Sequence, residues 1–586
     1  MSRSVHFARC VLWLVVLLGS MPFDAQAGCK LGQLEIPVSM VGTRAVARLK
    51  INGNDLPFTV DSGAFFSAIT EAAAEQLQLR TRRAPNGLRA YGLTGRVDYR
   101  VADVARLGFQ NAEIPNIEFL VGGNEPGAGT IGLLGRNLLS WADAEYDLAH
   151  GAIRIMVPQG DCGDLGMAYW AGEQPVSIAE LRHSVRDRFP PIKVRAKVND
   201  HTIVAVLDTG ASSILSRSAA KKAGLLDDES RLVPAGPVHG AGRGELPSWL
   251  VPMASFEIGD ERIANSRVRI ADFDLDDADM LIGIDFFLSH RIFVATSQKK
   301  MYFTYQGGPV FDLTIKAATP AQPRGDEPEP RDAAAFARRG SAYAAQREHE
   351  RALADFNRAC ELDPATGAYF RQRGTVRLLL RQPAEAMADF EEALRLDPSD
   401  HEARLDRARM NLLRRQTERT REDLRLLDEA LAPQGHMRRE MARLYQVLDE
   451  PRQVVAQLDR WIASHRREVD LHQALNSRCW ARALLGTELD QALADCNEAL
   501  AQKPGEPAYL DSRGLVHLRQ GRWREARADY DEALKLRPDA AWTLLGRGLA
   551  RVAANEREPG LADIAAARQR QPGIEADARR YGLELP

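Results

Sequence analysis

Two segments of this chain repeat one another in order and spacing, and any fold has to satisfy both at once. Asn52-Gly53-Asn54-Asp55 leads into the apolar stretch Leu56–Val60 and then Asp61-Ser62-Gly63-Ala64. Asn199-Asp200 leads through Ile203–Leu207 to Asp208-Thr209-Gly210-Ala211. In both copies the turn Asn precedes the motif Asp by nine residues. A short strand follows (Ser67–Thr70; Ser213–Ser216), and then an Ala-rich helical stretch. Glycines recur at offsets of 31 to 34, as Gly92 and Gly95 and as Gly240 and Gly242. Two aliphatics and a glycine close each copy, Leu133-Leu134-Gly135 and Leu281-Ile282-Gly283, with the Gly 74 and 75 residues after its Asp. Four landmarks in one order at matched spacing are hard to assign to chance. The intervening segments are short, β-branched or alternating, and broken by Gly, Pro and Asn, which predicts mostly β structure.

A second repeat begins near residue 333. Gly340, Ala352, Phe356, Ala359 and Pro364 recur 34 residues later as Gly374, Ala386, Phe390, Ala393 and Pro398. The register returns at Ala492, Cys496, Ala499 and Pro504, and again at Gly514, Ala526, Tyr530, Ala533 and Pro538. Small residues where two helices touch, with Pro closing the second, resemble the tetratricopeptide repeat (TPR). The resemblance implies an all-α solenoid of about seven units over 333–586, whose groove takes a protein partner. Its plainer role is that of a spacer.

At 586 residues the chain has room for about three or four domains. The boundaries expected are a signal peptide at 1–27, a first β domain at 28–162, a second at 163–315, a Pro-rich linker at 316–332, and then the solenoid. The leader has a basic start (Arg3, Arg9), the short apolar core Val11–Leu18 and an Ala25-Gln26-Ala27 cleavage site. It predicts export, in a bacterial setting to the periplasm, with cleavage after Ala27. The alternative is a lipid anchor at Cys29. No later stretch is apolar enough for a stable membrane span in the mature chain, and a net charge of −3 gives no pull toward nucleic acid. In an oxidising compartment Cys29 and Cys162 would join the ends of the first domain, and Cys479 and Cys496 would join neighbouring helices. Cys360 is left over as a buried apolar residue. The opposite reading, with every cysteine free and buried, stays open. No cysteine pair has zinc spacing, so no metal or cofactor is expected.

Asp-Ser/Thr-Gly directly after an apolar strand, answered by two aliphatics and Gly some 75 residues on, resembles the retropepsin-like aspartic proteases. The resemblance covers roughly 33–158 and 185–305, each about one retropepsin subunit, and implies two halves folded as a pseudo-dimer. Asp61 and Asp208 would be the catalytic dyad. Two carboxylates held together cannot both ionise, so they share one proton, and the pair supplies both base and acid for hydrolysing an amide with water. The resemblance further implies that Ser62 and Thr209 hydrogen-bond across the pseudo-twofold axis, with Gly63 and Gly210 permitting the tight turns. Leu134-Gly135 and Ile282-Gly283 would pack beneath them. Tyr91, Gly92 and Gly95, with His239, Gly240 and Gly242, would sit in flaps that cover a peptide or protein substrate. The second copy departs from the family pattern, with Ile284-Asp285 where the first has Arg136-Asn137, and this puts an Arg contact there in doubt.

These residues suggest an exported aspartic endopeptidase with a recruiting solenoid. Two alternatives stand beside it: a dimer in which each half pairs with its copy in another chain, and an inactive peptide-binding scaffold on the same fold.

Overall fold

The computed structural model describes residues 29–85, 90–109, 112–160, 162–163, 165–182, 188–240, 242, 244–275, 278–311 and 329–586. The expected leader, most of the linker, and Ala241 and Arg243 of the second flap lie outside them.

The first half is all but wholly β. Asn52 and Gly53 take positive φ, 50° and 92°, and turn strand Arg44–Ile51 back into Asn54–Val60. The matching turn in the second half is Asn199-Asp200, at φ 44° and 65°, between Ile192–Val198 and His201–Leu207. These positions tolerate Asn and Asp because their short polar side chains suit the left-handed region. In each half a later strand then inserts beside the one that carries the motif. Gly132–Leu134 runs parallel to Asn54–Val60, pairing Leu134 with Val60. Met280–Ile282 runs parallel to His201–Leu207, pairing Ile282 with Leu207.

The halves are joined by one continuous antiparallel layer, with three strands from each. Its order is Ser177–Glu180, Lys300–Tyr305, His290–Ala295, Asp143–Asp147, Ala152–Gln159, Lys30–Val41. The seam lies between Asp143–Asp147 and His290–Ala295, where Glu145 faces Phe293 in register. Glu145 is fully buried there. Arg291 from the second half reaches it at 2.8 Å, Arg154 from the first half reaches it at 2.5 Å, and Tyr169 donates to it. Asp147 lies beside the same guanidinium groups, and His150, Arg291 and Arg154 hold its carboxyl well below the usual range against the cost of burial. Cys29 bonds to Cys162 just beyond the last paired residues of this layer, Lys30 and Gln159.

From Ala333 onward the chain is helical, in seven antiparallel pairs from Ala333–Ala345 to Arg557–Arg570 with a last helix at Ile574–Arg580. The mostly-β and all-α division expected from the sequence is what the structure has. The periodic glycines mark tight helix contacts: a Cβ on Gly374 would come 2.8 Å from the Phe390 ring, and one on Gly514 2.7 Å from Tyr530. Cys479 and Cys496 are bonded inside one pair, and Cys360 is buried and free. In six of the seven pairs an Arg on the first helix grips an Asp on the second, sixteen residues later in Arg339–Asp355, Arg373–Asp389, Arg407–Asp423, Arg513–Asp529 and Arg547–Asp563 and seventeen later in Arg478–Asp495, at 2.6–2.7 Å. Four of these guanidinium groups also reach back to the preceding pair, at Asn357, Asp459, Asn497 and Asp531.

The solenoid is seated on the β region. Its first helix lies under the inter-half layer, where Met40 N–H donates to Ser341 Oγ at 2.8 Å and Gln346 donates to the Leu288 carbonyl at 2.8 Å. It returns to the β region at Ser464–Arg467, where Ser464 meets Glu75 and Arg467 meets Glu71.

Candidate active site

Each motif Asp is placed by the inserted strand beneath it. Asp61 N–H donates to the Leu134 carbonyl at 3.0 Å, and Asp208 N–H donates to the Ile282 carbonyl at 2.8 Å. The glycine after each aliphatic pair is sterically required. A Cβ on Gly135 would come 2.6 Å from the carbonyl carbon of Phe66, and one on Gly283 would collide with Ser212. Gly135 N–H donates to Ser67 Oγ, which donates on to Asn137 Oδ1 at 2.8 Å. Gly283 N–H donates to Ser213 Oγ, which donates on to Asp285 Oδ1 at 2.6 Å. Asn137 and Asp285 therefore do the same job in the two halves. The Arg contact differs as expected: Arg136 donates to the Phe189 carbonyl at 2.9 Å, while Ile284 is buried and has no such group. Burial pushes the Asp285 carboxyl up to about 6, against the hydrogen bonds from Ser213.

The two motif loops lock together reciprocally. Ser62 N–H donates to Thr209 Oγ1 at 3.0 Å, and that hydroxyl donates to the Val60 carbonyl at 2.8 Å. Thr209 N–H donates to Ser62 Oγ at 3.0 Å, and that hydroxyl donates to the Leu207 carbonyl at 3.2 Å. Both side chains are buried, so the lock excludes competing water.

The lock brings Asp61 and Asp208 face to face. Asp208 Oδ1 accepts from Gly210 N–H at 2.8 Å and from Gly63 N–H, across the axis, at 3.2 Å. Asp61 Oδ1 accepts from Ala64 N–H at 2.7 Å. A Cβ on Gly63 would overlap the Asp208 carboxylate, and one on Gly210 would sit 2.5 Å from Asp61 Cγ. Each glycine thus makes room for the opposite carboxyl. Burial first, and then the negative charge of Asp61, raise Asp208 well above the usual carboxylate range, against the pull of the two amides. A pair in this state holds one proton between two carboxyls, ready to donate from one and accept at the other.

The residues expected in the two flaps meet one another. Ala90–Gly92 pairs with Gly95–Val97 as a hairpin, which places Tyr91, Gly92 and Gly95 on it. Thr94 at its tip donates to the Gly240 carbonyl at 3.2 Å and accepts from Gly244 N–H at 3.2 Å. Gly242 packs on the Thr94 backbone closely enough that a Cβ there would lie 2.7 Å away. His239 stands half exposed, with Nδ1 3.9 Å from the Glu245 carboxylate.

A cavity of about 300 Å³ opens beside Asp61, lined by Arg44, Tyr99, Asn124, His239, Gly240 and Glu468 among others. Several of these carry no sequence signal. Arg44 donates to the Gly210 carbonyl. Burial and the nearby charge of Asp61 push the Tyr99 hydroxyl up to about 12, so it stays a proton donor. A larger hollow of 540 Å³ lies on the second half around Leu225, Arg231 and Met253 and contains neither motif Asp.

Residues 47–141 match the gag-polyprotein aspartyl protease family, and residues 194–286 match a second aspartyl protease family. Residues 333–366, 371–435 and 507–540 match tetratricopeptide repeat families. The fold and these matches define a class, two aspartyl-protease domains in tandem. This chain is a fusion of such a retropepsin-like pair with a TPR solenoid. Over 72 residues it is 32% identical to Protein SGT1 homolog of Bos taurus, covering 12% of this chain and 21% of that one. The chain thus spans about a fifth of that relative's length. Among solved structures, a tetratricopeptide repeat protein from Parabacteroides merdae is 16% identical, over 42% of this chain and 96% of its own, at a TM-score of 0.30. Conglutin gamma from lupine seeds is 13% identical, over 49% of this chain and 96% of its own, at a TM-score of 0.30.

Proposed function

We propose that the chain is an exported aspartic endopeptidase in which Asp61 and Asp208 form a single site that hydrolyses peptide bonds with activated water. The observation that carries this reading is the reciprocal Ser62–Thr209 lock. It holds two carboxyls against each other with one raised far above its usual range, and the amides of Gly63 and Gly210 fix Asp208. The ionised member takes a proton from water, which attacks the scissile carbonyl. The protonated member donates to the carbonyl oxygen, and the proton returns to the leaving nitrogen as the C–N bond breaks. Tyr99 and the Arg44-held Gly210 loop border the space where the substrate backbone lies.

Both carboxyls come from one chain, which favours the intramolecular pair over a dimer of whole chains: the shared inter-half layer makes each half the other's permanent partner. Export is supported by the leader pattern and by the disulfides Cys29–Cys162 and Cys479–Cys496, which suit an oxidising compartment. With Cys29 engaged by Cys162, cleavage after Ala27 is favoured over a lipid anchor. The TPR groove is proposed to recruit a protein partner or substrate.

The test is digestion of a peptide library by the mature protein across about pH 3–8, a span chosen to bracket titration of the pair, alongside Asp61→Asn and Asp208→Asn. Each substitution should abolish cleavage while leaving thermal unfolding within a few degrees. Residual cleavage by either variant would exclude a shared site. Tight peptide binding without turnover, indifferent to both substitutions, would support the scaffold reading instead.

A further inference from the structure

The solenoid reaches the mouth of the cleft at two places, and at both it touches what holds the flaps. The first is the turn after helix Pro451–Ser464. Both carboxylate oxygens of Glu468 lie 3.0 Å from the backbone N–H of Glu125, which donates to them. The Glu125 carboxylate lies 2.9 Å from His465 Nε2, and the His465 side chain is only 1% exposed. Arg467 of the same turn donates to the Asp98 carbonyl, next to Tyr99. Glu125 is thus gripped at backbone and side chain. Its neighbour Asn124 donates through Nδ2 to the Gly242 carbonyl at 2.8 Å and to the Gly240 carbonyl at 3.4 Å. The second place is the loop after helix Leu489–Gln502, where Lys503 Nζ lies 2.5 Å from Glu245 at the base of the same flap.

We propose that Glu468, His465 and Lys503 of the solenoid are positioning residues for the cleft: they hold the glycine-rich flap of the second half down on the flap hairpin of the first, and so set how readily a peptide enters. The cavity beneath the closed flaps, about 300 Å³, is at the lower end even for a small organic ligand. An extended peptide enters only when the flap lifts, so the solenoid contacts lower the fraction of molecules able to bind. Apparent affinity scales with that fraction. Loosening the contacts therefore lowers KM and leaves kcat near its starting value. A protein that bound the solenoid and drew the turn at Glu468 away would act as an activator.

The experiment is hydrogen exchange of the backbone amides of His239, Gly240, Gly242, Gly244 and Glu245 in the full-length protein, comparing wild type with Glu468→Ala, Glu468→Gln and Lys503→Met. Exchange there should quicken about tenfold in Glu468→Ala, the effect of losing one charge-assisted hydrogen bond, and about two- to threefold in Lys503→Met, whose partly exposed ion pair is screened by water. Glu468→Gln should stay near wild type, because its amide oxygen still accepts from Glu125 N–H. Unchanged flap exchange in folded Glu468→Ala and Lys503→Met overturns the proposal, and so does an increase spread evenly over both halves. Should Glu468→Ala fail to fold, Lys503→Met alone decides, since Lys503 is partly exposed and packs in no core. A parallel kinetic measurement, in which KM falls while kcat holds, rests on the peptidase reading. The exchange measurement does not, so it still decides if no peptide is cleaved.

Discussion

Replacing Thr209 by Val keeps the volume of the side chain and removes only its hydroxyl. That hydroxyl accepts from Ser62 N–H at 3.0 Å and donates to the Val60 carbonyl at 2.8 Å, and Thr209 is fully buried. The variant leaves one donor and one acceptor without partners in a site closed to water. At about 1–2 kcal/mol for each orphaned group, the loss is about 3 kcal/mol. In urea titration this should lower the midpoint by about 1 M or more with the slope unchanged. Thr209→Ser, which retains both bonds, should lose less than about 1 kcal/mol. The Ser62→Ala variant removes the mirror pair of bonds, and the double variant should cost clearly less than the two singles added, because the four bonds form one network. Peptide cleavage should fall by about 10²-fold in Thr209→Val, the effect of shifting a reacting group by about 1 Å. A stability loss below about 1 kcal/mol for Thr209→Val, or equal damage from Ser and Val, would show that the dyad is held by something other than this lock.

Three further outcomes follow from the same geometry. Arg291→Met strips Glu145 and Asp147 of one cation at the seam while Arg154 remains, so the cost should be about 3 kcal/mol, read by thermal unfolding. Asp285 has a folded pKa of about 6, raised from 3.8; its contribution is therefore fully present below 3.8 and lost as pH rises through 6. Asp285→Asn should stabilise by about 2–3 kcal/mol at pH 8 and by almost nothing at pH 4, in paired denaturation curves. Removing Cys479–Cys496, which closes a loop of 17 residues, should cost about 3 kcal/mol when Cys→Ser variants are compared with the oxidised parent.

What the sequence made legible was whatever repeats locally. The Asn turns, the Asp-Ser/Thr-Gly loops and the aliphatic pairs with Gly stand at fixed spacing, because each half must build the same inserted-strand arrangement to present one carboxyl. The 34-residue period is visible for the same reason, since Gly374 and Gly514 face ring atoms that leave no space for a side chain. Hidden from the sequence was whatever depends on distant segments meeting. Arg44 looks like any strand-edge arginine until it reaches Gly210, 166 residues on. Glu468 and Glu125 are 343 residues apart and lie in unremarkable charged stretches. The Ile284-Asp285 departure put only an Arg contact in doubt. In space Asp285 takes the role of Asn137, and only the Arg contact is missing. The Arg–Asp pairing, sixteen residues apart in five units and seventeen in the sixth, was periodic too, yet it was masked by a solenoid rich in other Arg, Asp and Glu.

That pairing makes the solenoid a measure of length. Between Ser341 and Glu468, Arg373 ties the second helix pair to the first at Asn357, Arg371 ties it to the third at Glu402, and Arg409 ties the third to the fourth at Glu440, so neighbouring units keep a set offset. The stack starts at a fixed point, Ser341 under the inter-half layer, and delivers Glu468 to Glu125 at the cleft mouth. The number of units between these points counts as a ruler counts. Gaining or losing one unit there would carry the turn at Glu468 past its mark, leaving every repeat well folded and the cleft unattended.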